Sequence, residues 1–195
     1  MANTVVRWAG LVQITGAALL GTALVITSSA PEMTQPIPPL PNSLLFLSSV
    51  LLLLSLPAMY ARQANAAGWL GLAGHALLQT GILLLVVVST PPLLFSSFDL
   101  AFEESLTPFL LAIALTAGLL LTATATLRAG VFPRWTGILL LAGTAGFFFS
   151  FFVAETLPRL PGQVVGGILG ILLALSFAGI GLSMWTTFRG RPGST

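Results

Sequence analysis

Residues 43–63 read SLLFLSSVLLLLSLPAMYARQ. No ionisable side chain stands between Ser43 and Met59, and the stretch closes on Tyr60, Ala61 and Arg62. An α-helix rises ~1.5 Å per residue, so about 20 mainly apolar residues cross the roughly 30 Å hydrocarbon layer of a bilayer. The leucines of this stretch, with Phe46 and Val50, favour insertion by roughly 3 to 6 kcal/mol at about 0.3 to 0.6 kcal/mol per residue. A segment that inserts this readily fixes lipid as the solvent for the whole chain.

Composition says the same. Of 195 residues, 56% are hydrophobic and 6% charged, too little polar surface to cover a water-soluble globule of this size. Working outward, the spans expected by length and apolarity are residues 7–27, 43–61, 68–88, 106–128, 134–153 and 163–187. The fold expected is all-α, a polytopic membrane bundle of six transmembrane helices in a single domain covering residues 1–195. Proline removes a backbone donor that lipid cannot replace, so prolines mark the ends of spans. Pro31, Pro36, Pro38, Pro39 and Pro41 fill the first loop, Pro91 and Pro92 follow the third span, and Pro133 and Pro161 precede the fifth and sixth. Pro108 falls in a first turn, and Pro57 alone lies inside a span. The first span also admits a reading as a signal peptide cut after Ser28-Ser29-Ala30. Its apolar stretch of about 18 residues exceeds the usual 7 to 15, which favours a retained helix.

Charge gives the orientation. Arg7, Arg62, Arg128, Arg134, Arg189 and Arg191 fall on one side of an alternating six-span arrangement, and Arg159 on the other. Glu32, Asp99, Glu103, Glu104 and Glu155 all fall on the side opposite the six arginines. The positive-inside rule makes the arginine side cytoplasmic, so a multi-pass protein of the cell inner membrane with both termini in the cytoplasm is expected. Trp8, Trp69, Trp135, Trp185 and Tyr60 map to the same boundary, where amphipathic rings favour the headgroup zone. The basic pI comes from these scattered arginines rather than a basic patch, so nucleic acid is not an expected partner. The chain has no cysteine, which excludes disulfides and thiolate chemistry.

Three of the spans open alike, as Arg7-Trp8-Ala9-Gly10, Gly68-Trp69-Leu70-Gly71 and Arg134-Trp135-Thr136-Gly137. One reading is a threefold repeat of a two-helix hairpin about an axis along the membrane normal. The other is that every second helix starts at the same interface, which favours tryptophan and arginine. Small residues at four-residue spacing mark close helix contacts in lipid. Gly166, Gly170, Ala174 and Ala178 form such a stripe on the sixth helix, with shorter versions at Ala17 and Gly21 and at Ala142 and Gly146. An intramolecular seam is the first expectation for the stripe, and pairing with a second copy or another membrane protein the alternative.

His75 is the only histidine and the only ionisable group well inside an expected span. An intramembrane ionisable group points to function. Gln79 lies one turn further on the same face, and Gln13 reaches a similar depth in the first span, so His75, Gln79 and Gln13 are the candidate ligand-binding residues. The bland alternative is that all three only bond across helices. A lone histidine without cysteine or a nearby carboxylate does not build the usual zinc, iron or haem sites, so no metal or cofactor is expected. Ser176 and Ser183 lack the Gly-x-Ser-Gly setting of an intramembrane protease, and no catalytic residue is assigned. Thr116, Thr122, Thr124 and Thr126 are expected to bond back to their own helix. Leu94, Phe98, Ala101, Phe102 and Leu106 recur at helical spacing and predict a short amphipathic helix on the outer surface. Arg159 follows Glu155 by one turn and is placed to pair with it.

Leu127-Arg128-Ala129-Gly130-Val131-Phe132-Pro133-Arg134-Trp135-Thr136-Gly137, with Pro57-Ala58-Met59-Tyr60-Ala61-Arg62-Gln63 and Gly68-Trp69-Leu70-Gly71, resembles small six-helix bacterial integral membrane proteins of unknown function. The resemblance covers two cytoplasmic turns and their flanking helices. It implies the fold and no activity. The function expected is non-enzymatic: an accessory or scaffold subunit, or a binder of lipid or another hydrophobic molecule. The alternative is a small transporter or channel for a neutral or hydrophobic solute.

Overall fold

The computed structural model describes residues 2–29, 39–90, 106–152 and 159–186. Among them are five helices and no strand: α1 (Ala2–Ser29), α2 (Pro39–Val88), α3 (Thr107–Ala129), α4 (Arg134–Phe152) and α5 (Arg159–Thr186). The all-helical expectation holds, and α1, α2 and α3 are long and apolar enough to cross a membrane. The expected surface helix at Leu94–Leu106 (but for Leu106), all five acids with the Glu155 pairing, Arg189 and Arg191 lie outside the described residues.

The count of six separate helices is corrected. Where a loop was expected after Ala61, one arm of α2 stays helical up to Gly68 and a second arm follows directly, the element covering 50 residues in all. Ala64-Asn65-Ala66-Ala67 carries no proline, and its alanines are the strongest helix formers. Only Gly68 leaves helical geometry, at φ 59° and ψ −152°. That region is open almost solely to glycine. Tyr60 and His75 would stand about 22 Å apart along an unbroken helix, yet their ring centroids are 4.8 Å apart. The two arms of α2 therefore fold back on each other at Gly68. The next reversal is built differently. α3 ends on Gly130 at φ 61°, whose N–H donates to the Thr126 carbonyl, the left-handed cap that satisfies a terminal carbonyl. Pro133 then opens α4, its carbonyl accepting from the Thr136 N–H at 3.0 Å.

The helices pack in chain order, and α1 closes against α5. Two seams bring backbones together. A Cβ on Gly118 would lie 2.5 Å from the Leu78 nitrogen, and one on Gly10 would lie 2.7 Å from the Gly181 carbonyl oxygen. The stripe on α5 serves this second seam: Ala174 faces Gly21, and Gly170 faces Leu24, both on α1. The threefold repeat is not supported. Gly10 packs on α5 and Gly137 on Leu127 of α3, whereas a Cβ on Gly71 would meet Ala67 across the Gly68 reversal and lie 3.8 Å from the Ala125 Cβ of α3. The similar openings share an end of the bundle, not equivalent neighbours.

Around an apolar core that includes Leu56, Leu78, Leu140 and Phe177, the surface is also apolar and some polar side chains are buried. Leu54 is 66% exposed, Ile138 58% and Leu175 50%, while Gln13 and Ser176 are 0% and Gln63 1% exposed. Large apolar side chains on the outside, with polar ones withdrawn into the bundle, suit lipid as solvent.

Candidate functional site

Contacts among helix ends gather one face of the bundle. The Arg7 guanidinium lies 4.6 Å from the centre of the Trp185 ring, which joins the start of α1 to the end of α5. From α2, Arg62 Nη1 donates to the Ser183 carbonyl at 3.0 Å, and its guanidinium lies 5.4 Å from the centre of the Phe132 ring in the α3–α4 turn. The Ser183 carbonyl belongs to the last described turn of α5. Arg62 thus ties three reversals or ends together. Trp8, Trp69 and Trp135 stand exposed around this same end.

Just inside it lie several buried polar side chains. Gln13 of α1 donates from Nε2 to the Met59 sulfur at 3.9 Å. His75 is buried and stacks on Tyr60, with 21° between the ring planes. Met59 and Tyr60 are neighbours in sequence, so Gln13 and His75 reach one level from two sides. Gln79 lies one turn beyond and is half-buried. The structure thus brings two of the three expected residues to a common depth and sets the third apart.

Sequence reading does not single out Gln63, which is 1% exposed. It sits one turn past Met59 on the same face of α2, next to Arg62, and that spacing is the signal that points to it. Its Oε1 accepts from Thr126 Oγ1 at 3.4 Å. This corrects the expectation for the α3 threonines. Thr124 does bond back, to the Leu120 carbonyl at 2.8 Å, but Thr126 reaches across to α2, and the hydroxyls of Thr116 and Thr122 have no partner among the described residues. Gln13 Oε1, Gln63 Nε2 and His75 Nδ1 are likewise unpartnered there. Ser176 donates to the Thr136 carbonyl at 2.9 Å, which holds α5 to α4 and engages its hydroxyl. Among the described residues no three histidine, aspartate or glutamate side chains gather as metal ligands would.

A second feature lies on the outside of the α1–α5 seam. An open groove of about 460 Å³ has Ala17, Ala18 and Gly21 on one wall and Ile171, Ala174 and Ala178 on the other. The one hydroxyl in its lining, Thr22, is bonded to the Ala18 carbonyl at 2.9 Å, so the groove offers an apolar surface.

Comparison of the chain with protein-family models, with curated proteins and with solved structures found no match in any of the three.

Proposed function

We propose that this chain is a non-enzymatic, six-span protein of the cell inner membrane, an accessory or scaffold subunit that holds a lipid or another hydrophobic molecule. The observation that carries the reading is the groove between α1 and α5, about 460 Å³ in volume and apolar along its walls. That is within the range of small-molecule sites, roughly 300 to 1,000 Å³. Its small residues let a lipid chain approach the helix backbones closely, and van der Waals packing of this kind is what drives association in lipid. The reversal at Gly68 supports counting α2 as two crossings. The gathering of Arg7, Arg62 and the α3–α4 turn at one end supports a cytoplasmic face there, by the positive-inside rule.

Native mass spectrometry of the full chain from mild detergent tests the reading. One lipid per chain is expected. Ala18→Leu, at an exposed position on the groove wall, is expected to lower its retention several-fold. Repeated recovery of a bare monomer, or equal retention by the variant, overturns the proposal. Orientation is tested in intact cells with an impermeant thiol probe. A single cysteine beside Arg62 should stay unlabelled while one beside Glu103 reacts.

The unpartnered polar atoms near His75 favour a second reading, a small transporter or channel for a neutral solute. Proteoliposomes that show solute flux, with loss of that flux in His75→Ala or Gln79→Ala, would establish it over the first.

A further inference from the structure

Besides Arg7 Nε at the very end of the bundle, four buried polar atoms without a partner among the described residues lie in the arginine-bearing half: Gln13 Oε1, Gln63 Nε2, His75 Nδ1 and Thr122 Oγ1. Their residues are each less than a tenth exposed, at 0%, 1%, 7% and 1%. They belong to α1, the first and second arms of α2, and α3, so no single helix accounts for them.

Three of the four share a depth. Gln13 touches Met59, and His75 stacks on Tyr60. The Thr122 nitrogen lies 2.8 Å from where a Cβ on Gly74, the residue before His75, would fall. At ~1.5 Å per residue, Met59, Tyr60 and His75 all stand about 11 to 13 Å from the Gly68 turn. Gln63 lies one turn nearer that turn and is held there by Thr126, itself one turn from Thr122 on α3. The cluster is thus a layer with a single step.

A buried threonine in a helix has an easy way to satisfy its hydroxyl, the carbonyl one turn back. Buried Thr144 uses it, as does the exposed Thr124 on the same helix as Thr122. Thr122 does not. A buried polar atom left bare loses its hydration with nothing in exchange, so a layer of four calls for a guest. An amide oxygen only accepts, an amide nitrogen only donates, and a hydroxyl and an imidazole nitrogen do either. A guest that suits this set must both donate and accept. His75 is the only ionisable member, and Arg62, next to Gln63 in sequence, is engaged with Ser183 and Phe132. An ion would have no counter-charge in the layer, so the guest is neutral.

We propose that Gln13, His75 and Thr122, with Gln63 one turn below, form a binding site inside the bundle for a small neutral hydroxyl compound. Two sources share this chemistry, buried water and a small polyol. A buried water ordinarily makes about three hydrogen bonds to groups otherwise unsatisfied, which matches the three atoms at one level. The site is separate from the α1–α5 groove and does not depend on what fills it.

The test uses the full chain in lipid nanodiscs, with the histidine ring isotopically labelled, and reads magnetisation transfer to the His75 ring. It is run first in buffer and then with deuterated water and protonated glycerol as the probe. Transfer from water identifies a hydrated site; transfer from glycerol identifies a polyol site; both support the proposal. The signal should be lost in Thr122→Val and in Gln13→Leu, each checked for an unchanged elution volume. Absence of transfer from either probe in the unaltered protein overturns the proposal, and so does a transfer that survives in both variants.

Discussion

In the half of the bundle that carries Arg7 and Arg62, buried polar side chains reach between helices: Thr126 to Gln63, Gln13 to Met59, Arg62 to the end of α5. In the opposite half they turn inward on their own helix. Ser48 and Ser49 both donate to the Leu45 carbonyl, Ser89 to that of Leu85 and Thr144 to that of Leu140. The contact there is between apolar side chains and close backbones, with Ile82, Leu111 and Leu115 buried and Gly81 against Leu115. Hydroxyls that close on a carbonyl one turn back behave as apolar surface toward their neighbours. Directional bonds between helices thus gather at one end, while close backbone packing serves both.

The comparison breaks first where shape fails. Gly118→Leu would drive a side chain into the Leu78 backbone, which cannot swing aside as a side chain can. The cost should exceed the roughly 1–3 kcal/mol of ordinary overpacking, seen as loss of the monodisperse peak in size-exclusion chromatography. Gly68→Ala is next. Nothing lies within 4 Å of the added carbon, so any loss comes from backbone conformation alone, at about 1–3 kcal/mol in denaturant titration. Arg62→Gln removes the clamp on Ser183 and Phe132 and should lower stability by roughly 1.5 kcal/mol, as expected for a hydrogen bond from a charged group. Thr126→Val leaves the Gln63 amide oxygen bare, and about 1 kcal/mol should be lost. Thr144→Val in the other half removes only a bond within one helix, and thermal unfolding should register less than about 0.6 kcal/mol. Equal effects at Thr126 and Thr144 would erase the distinction between the halves.

The limits of the helices were legible because they are set by local chemistry. Pro108 falls in the first turn of α3, Gly130 caps its end, Pro133 opens α4, and each leaves its mark in the sequence. The single-residue reversal at Gly68 was not, because an alanine-rich stretch with one glycine reads equally well as a short loop or as helix up to the break. His75 and Gln13 were found because a polar side chain in an apolar run is conspicuous. Gln63 was not, because it follows Arg62 at the end of a span, where polar residues are ordinary. Which threonine bonds across and which bonds back depends on the rotational setting of α3 against α2, and Thr122, Thr124 and Thr126 look alike in hydropathy.

The seam that joins α1 to α5 has a consequence in time. The ribosome releases α1 first and α5 last, so Gly10 and Gly21 wait for Gly181 and Ala174 through the making of everything between. A chain halted after α4 would present the small-residue face of α1 to bare acyl chains. Completion of the bundle is then a closing of the ring by its two ends, a step that no earlier helix pair can perform in its place.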